Sequence, residues 1–150
     1  MSSQENNEKE IELQLPFEKK RETIPHKDHL YLRVHKVNID FNVEDQYKKI
    51  LPVAFDMKGD DGLSVDWSEH SKPEETLSRA NKPEQNGILS FNCGDVRKSP
   101  FSCEVIHDPI ENINYAHSLV CGIPPRKPNG LEFRIQLRQI CKWEIQCINK

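Results

Sequence analysis

Hydrophobic and polar positions alternate most strictly near the end of the chain, over residues 131–147. Odd positions there are apolar except Gln139, and even positions are polar except Ile140. Successive side chains of a β-strand point to opposite faces, so the pattern predicts a ribbon with one buried and one exposed face. A helix would have its apolar stripe interrupted by Arg138 and Lys142. Because the run exceeds usual strand lengths, we expect a bend or break near residues 138–140.

Shorter alternating or apolar runs elsewhere predict further strands, bounded by turn-forming residues. These lie at residues 30–37, 50–55, 63–67, 88–93, 101–107 and 117–123. One helix is expected over residues 74–80, because Ser71, Pro73 and Glu74 have the spacing of a capping box with proline in the first turn. The elements together indicate an α+β, mainly-β fold with one antiparallel sheet of six to eight strands, as a sandwich or a partly closed barrel.

Two segments of different character divide the chain. Residues 1–28 are polar and charged, which predicts a disordered tail, and residues 29–150 are expected to form a single domain. Ile11, Leu13, Leu15 and Phe17 alternate with polar residues inside the tail. This island is either an ordinary part of the tail or a linear motif that adds a strand to a partner protein.

Composition excludes several classes of protein. The formal net charge is -3, without the basic excess typical of nucleic-acid binding. No apolar run approaches the ~20 residues of a membrane span, and the N-terminal residues lack the apolar core of a signal peptide. The expected compartment is therefore the cytoplasm, where the 5 cysteines, an odd set without a C-x-x-C pair, are interpreted as small apolar core residues and not as disulfides. No cofactor-binding motif is present.

His107 and His117 are the residues with the clearest chemical potential. If the strands at 101–107 and 117–123 pair symmetrically about their connecting loop, His107 lies opposite His117 with Cβ atoms ~5 Å apart. Such a pair suits general acid–base catalysis, a metal site completed from elsewhere, or a pH-responsive contact. The apolar neighbours of both residues favour the alternative that they are packed, hydrogen-bonded core histidines.

Arginines supply the remaining candidate chemistry. Arg33 and His35 on one predicted strand and Arg134 and Arg138 on another would form a cationic patch if those strands were neighbours. A solvated sheet face is the simpler interpretation. In a catalytic site, Arg33, Arg97 or Arg134 would stabilise developing negative charge beside the two histidines.

The sequence therefore leaves two functions open. One is a soluble interaction module, or subunit of a complex, that binds a protein through its N-terminal tail or an exposed sheet edge. The other is a hydrolase or transferase for a phosphorylated or nucleotide-like substrate, with His107, His117 and Arg33 as catalytic residues. Packed histidines and an unpaired edge would favour the module, whereas histidines lining a cleft near an arginine would favour the enzyme.

Overall fold

The computed structural model describes residues 21–57 and 61–148, and in these ranges it contains one six-stranded antiparallel sheet. Its strands are β1 His29–His35, β2 Leu63–Trp67, β3 Asn86–Asn92, β4 Glu104–His107, β5 His117–Cys121 and β6 Lys142–Ile145. The order across the sheet is β4-β5-β2-β1-β3-β6, so β4 and β6 form its edges. The mainly-β fold with one antiparallel sheet is confirmed. In the described ranges the sheet is open, with β4 and β6 at its edges, and it is not the sandwich or partly closed barrel that was expected.

Three short α-helices accompany the sheet in the described ranges. They are α1 Pro73–Ser78, α2 Cys93–Arg97 and α3 Leu131–Leu137. The helix predicted after Ser71 is α1, but its cap lies one residue later, since Glu75 Oε1 accepts a hydrogen bond from the Lys72 amide at 2.9 Å. No helix in the described ranges is long and apolar enough to cross a membrane.

The sheet has two faces of different character, as the alternation in β1 predicts. Leu30, Leu32 and Val34 are buried on the face that we call the core face. Side chains of Phe55, Val96 and Leu137 join the same hydrophobic cluster. Tyr31 and Arg33 define the opposite face, called here the polar face, where Arg33 Nη1 donates to the Thr76 carbonyl of α1 at 3.2 Å. Helix α1 therefore packs on the polar face of the sheet.

Residues 131–137 form α3 and not the first half of a ribbon, so this prediction was wrong. Arg134 and Leu137 are buried, whereas Leu131 is 49% exposed, a distribution with helical spacing and not with a period of two. Burial of Arg134 requires partners, and its guanidinium donates to Asp56 Oδ1 at 3.0 Å and to the Pro124 carbonyl at 2.7 Å. The break expected at residues 138–140 is a 3₁₀ turn, after which only β6 continues as a strand.

Two other expectations differ from the structure. Residues 50–55 were expected to form a strand, but Pro52–Phe55 is a 3₁₀ helix, since proline lacks the amide that a strand would use. The tail was expected to extend to residue 28, yet residues 21–28 lie against the sheet, and Ile24 is 1% exposed within the core cluster. The disorder predicted for residues 1–20, with the island from Ile11 to Phe17, lies outside the described residues.

Candidate functional site

His107 and His117 lie on opposite faces of the sheet. Strands β4 and β5 pair with His107 opposite Ser118, one residue from the symmetrical register that was predicted. A one-residue shift moves a side chain to the other face. His107 therefore enters the core face, while His117 lies on the polar face opposite Asp66. The predicted pairing of the two imidazoles was wrong, because the ladder continues one residue further, with the Asp108 amide donating to the His117 carbonyl at 2.9 Å.

His107 is packed with both ring nitrogens engaged. It is 1% exposed, and its Nδ1 accepts a hydrogen bond from the Glu22 amide at 3.0 Å. Its Nε2 lies 2.7 Å from the Tyr115 carbonyl oxygen, which can only accept. The neutral ring with its proton on Nε2 satisfies both contacts. Burial lowers the pKa of His107, which keeps the ring in this neutral form.

An aromatic cluster surrounds His107, and sequence reasoning did not find it. Trp67 and Tyr115 lie edge-on to the His107 ring at centroid distances of 5.0 and 4.9 Å, and the His70 ring stacks at 6.0 Å. The Tyr115 hydroxyl donates to Glu22 Oε2, and His70 Nε2 lies 3.3 Å from the same oxygen. The Tyr115 hydrogen bond lowers the pKa of Glu22, while burial and then Glu22 raise the pKa of Tyr115 to about 12.

His117 has a different set of partners near the β4 edge of the polar face. Its Nδ1 lies 2.7 Å from the Asp108 carbonyl oxygen and 3.5 Å from Asp108 Oδ2. Both oxygens accept, so the Nδ1 atom carries the proton. Nε2 is then an acceptor, and the exposed Ser64 hydroxyl lies 3.2 Å from it. Arg21 Nη2 reaches Asp108 Oδ1 at 3.3 Å.

A buried polar network fixes the loop that carries Asp108. Asp66 is 5% exposed, and its Oδ1 accepts from Asn114 Nδ2 at 2.8 Å. Its Oδ2 accepts from Thr76 Oγ1 at 2.8 Å and from Arg79 Nη1 at 2.7 Å. The carboxylate thus ties loop residues 108–116 and helix α1 to β2. Asp66 therefore orders this region, and no hydrogen bond joins it to His117 among the described residues.

The arginines do not assemble as a patch. Arg33 is held by α1, and no hydrogen bond joins it to His107 or His117 among the described residues. Arg134 is 3% exposed, and Arg138 Nη1 donates to the Ile50 carbonyl at 3.0 Å. The structure therefore does not bring together the three residues predicted to be catalytic. The condition for a cationic patch, that two neighbouring strands carry these arginines, is not met, because Arg134 lies on helix α3.

A groove of about 470 Å³ runs beside the edge strand β6. Trp143 forms part of its wall and donates from Nε1 to the Gln46 carbonyl at 3.3 Å. Tyr47, on the facing loop, is 46% exposed. The complete lining is Asp45, Gln46, Tyr47, Cys141, Lys142, Trp143 and Gln146. The alternation of apolar and polar residues gave no indication of this groove.

Metal-ligating residues are dispersed in the part of the chain that the structure describes. Within residues 21–57 and 61–148, no group of three or more His, Cys, Asp or Glu side chains is placed to hold a metal ion. All five cysteines are free thiols.

Comparison of the chain with protein-family models, with curated proteins and with solved structures found no match.

Proposed function

We propose that this protein is an interaction module that accepts an extended protein segment as an additional strand along β6. The observation that carries the proposal is the free outer edge of this strand. β6 pairs with β3 on one side, and no described residue makes a backbone hydrogen bond to the other side. Unpaired amide and carbonyl groups of an edge strand are a template for another strand.

The groove beside β6 supports this proposal, because it provides what backbone pairing lacks, namely selectivity for side chains. The exposed Tyr47 and the half-buried Trp143 offer aromatic surface on its two walls. Strand addition places alternate side chains of the added segment on one side. The preferred occupant is therefore an extended segment with apolar residues at every second position.

The chain itself contains a segment with this pattern, at Ile11, Leu13, Leu15 and Phe17. Glu12 within this segment and Glu10 just before it carry charges opposite to that of the exposed Lys142 on β6. We therefore take residues 11–17 as the occupant of the groove. This choice joins the two predicted contact regions, the tail and the sheet edge, in a single interaction.

The segment that fills the groove comes from a second copy of the chain, because the tail of the same copy begins at the β4 edge of the sheet and the groove lies at the β6 edge. Arg21 and Glu22 contact Asp108 and His107 beside β4, at the edge opposite β6. Five strand spacings of ~4.8 Å separate the two edges, about 24 Å. The four residues from Phe17 to Arg21 span at most ~14 Å. Assembly is therefore head to tail, the tail of each copy filling the groove of the next.

Light scattering coupled to size exclusion tests the proposal with the full chain. The wild type should form assemblies that grow with concentration. The double substitution Leu13→Glu/Leu15→Glu should yield monomers, as should Trp143→Ala. A matched control, Gln4→Glu/Asn6→Asp, adds the same charge outside the segment and should assemble like the wild type.

Mixing the two deficient variants gives the decisive result. Leu13→Glu/Leu15→Glu retains an intact groove, and Trp143→Ala retains an intact tail, so together they should form a one-to-one complex that cannot grow. A monomeric wild type, or a mixture that stays monomeric, would overturn the proposal. A second assay measures whether a fluorescent peptide of residues 9–18 binds the Leu13→Glu/Leu15→Glu variant; absence of binding also contradicts it.

A cytoplasmic location belongs to the same proposal. The five free thiols suit a reducing compartment, and three of them, Cys93, Cys103 and Cys141, are buried parts of the core cluster. The competing enzymatic prediction for a phosphorylated substrate gains no support from the geometry, since His107 is packed and lies on the opposite face from His117.

A further inference from the structure

We propose that Ser64, His117 and Asp108 form a nucleophilic site that cleaves carboxylic esters through transient acylation of Ser64. The three residues come from β2, from the first position of β5 and from the loop after β4. They meet because β2 pairs with β5 and β5 with β4. The site is independent of the groove beside β6, which lies at the far edge of the sheet.

The donors and acceptors around His117 are arranged so that its ring can accept the proton of the Ser64 hydroxyl. The Asp108 carbonyl oxygen, 2.7 Å from His117 Nδ1, requires the ring proton to lie on that nitrogen. His117 Nε2 is consequently unprotonated in the neutral ring and faces the Ser64 hydroxyl at 3.2 Å. Asp108 Oδ2, at 3.5 Å from Nδ1, supplies negative charge that stabilises the ring when it becomes protonated. A base oriented by a third group beside a hydroxyl is the arrangement that nucleophilic catalysis needs.

The site is held in place before any substrate arrives. Asn114 anchors the loop through Asp66 at 2.8 Å, and the Asp108 amide pairs with the His117 carbonyl at 2.9 Å. Asp66 accepts from Thr76 and Arg79, and among the described residues no hydrogen bond joins it to the His117 ring, whose partners are Asp108 and Ser64. The positions of base and orienting residue are thus set by buried contacts, while Ser64 remains exposed.

The surrounding surface suits an ester with an apolar acyl group. In the part of the chain that the structure describes, helix α1 packs mainly against β1, β3 and β6 and meets β2 at Asp66, so that its main contacts do not include β4 and β5, which form the other half of the polar face. Ile106, Leu119 and Cys121 are half-buried on that half of the face. An acyl chain can lie on these side chains with its carbonyl carbon beside Ser64.

Each step of the proposed reaction balances. Ser64 Oγ attacks the carbonyl carbon while His117 Nε2 takes the hydroxyl proton. The carbon–oxygen bond to the alcohol breaks, and His117 gives its proton to the departing alcohol. Water then attacks the acyl group on Ser64, His117 takes a proton from that water and returns it to Ser64 Oγ, and the carboxylic acid leaves.

A fluorophosphonate probe tests the nucleophile in the full chain. Ser64 Oγ would attack the phosphorus, fluoride would leave, and mass spectrometry of the digest would locate the label. Ser64 should be labelled while the exposed Ser78 of α1 in the same molecule is not. His117→Gln should reduce the labelling rate by about 100-fold or more, the range of a general base. Ser78→Ala should label like the wild type.

Hydrolysis of 4-nitrophenyl acetate provides the second measurement. Ser64→Ala should abolish turnover above the buffer rate, and Asp108→Asn should lower it. Equal labelling of Ser64 and Ser78, or unchanged Ser64 labelling in a His117→Gln variant that circular dichroism shows to be folded, would overturn the proposal. Neither result depends on assembly, because the Leu13→Glu/Leu15→Glu variant should be labelled at Ser64 at the wild-type rate.

Discussion

The Glu22 backbone amide donates a hydrogen bond of 3.0 Å to Nδ1 of His107, 85 residues further along the chain. This contact joins the segment before β1 to the end of β4, at the edge of the sheet. The Glu22 side chain adds the contact to the Tyr115 hydroxyl. Residues 21–28 are therefore part of the folded domain, and a neutral His107 ring is a condition for their attachment.

Acidification is expected to destabilise the fold through His107. Burial lowers the pKa of His107, and His70 acts in the same direction, whereas Glu22, Asp108 and the Tyr115 carbonyl oppose the shift. The unfolded chain therefore takes up this proton first, near the ordinary value of ~6.5. Below that pH, the free energy of unfolding should fall as the pH falls, until the folded state is protonated as well. Above it, this contribution is constant.

Urea denaturation between about pH 8 and about pH 5 measures this dependence. His107→Gln keeps a donor and an acceptor but removes the ionisable ring, so its unfolding free energy should fall less steeply below pH ~6.5. His29→Gln removes an exposed imidazole and should keep the wild-type slope. Identical slopes for His107→Gln and the wild type would show that His107 does not govern acid stability.

Two identical substitutions in α3 distinguish the helix from the strand that alternation predicts. Leu137 is fully buried and Leu131 is 49% exposed. Leu137→Ala should lower the free energy of unfolding by about 2–5 kcal/mol, because it leaves a cavity. Leu131→Ala should change it by less than about 0.5 kcal/mol. In a strand both residues would share one face, so equal losses in chemical denaturation would contradict the helix.

Removal of the carboxylate of Asp56 should destabilise the fold strongly. Arg134 is 3% exposed, and Asp56 Oδ1 is the anionic group that its guanidinium contacts at 3.0 Å. Asp56→Ala leaves a buried charge without its counterion, a loss of about 3–5 kcal/mol in comparable pairs. Glu132→Gln, at an exposed position of the same helix, is the control and should have little effect on thermal unfolding.

The thiols should divide into two reactive and three protected groups. Burial raises the pKa of Cys93 to about 12 and that of Cys103 to about 11, and it also raises the pKa of the fully buried Cys141. Burial raises the pKa of Cys121 and Cys147 as well, but these two thiols are partly exposed and therefore accessible to a reagent. Titration with an aromatic disulfide should therefore modify two thiols in the folded protein and the other three only after unfolding. Rapid modification of all five would contradict the packing of the core.

Local pattern was enough to find most strands and α1. Leu30, Leu32 and Val34 alternate with exposed or half-buried neighbours in β1. This period of two follows from the geometry of an extended backbone, in which successive side chains point to opposite faces, and does not depend on long-range contacts. The same holds for the turn signals that separate β2, β3 and β5. These local features are sufficient to predict the mainly-β fold without information on tertiary contacts.

At residues 131–137 the local pattern of apolar and polar residues does not determine the secondary structure. Phe133, Leu137 and Cys141 have helical spacing at the same time as the alternation, so the segment satisfies both periods. The helix is favoured because it buries Arg134 where its guanidinium donates hydrogen bonds to Asp56 and to the Pro124 carbonyl, which belong to other parts of the chain. From the sequence alone, an arginine indicates an exposed position, because the groups that could pair with it in the interior are not visible in the local pattern.

The alternating and apolar runs by themselves located the segments that form the six strands and the residues that share a face within β1, but they also predicted a strand at residues 131–137, where α3 lies. Tertiary structure alone decided the register of β4 against β5, and with it the separation of His107 from His117 and the meeting of His117 with Ser64. The physical reason is that register depends on how a loop closes and on which distant groups fill the space beside it. Here the hydrogen bond from Asn114 to Asp66 and the one from Glu22 to His107 hold the loop between β4 and β5 in place. Neither contact can be predicted from the local pattern of hydrophobic residues.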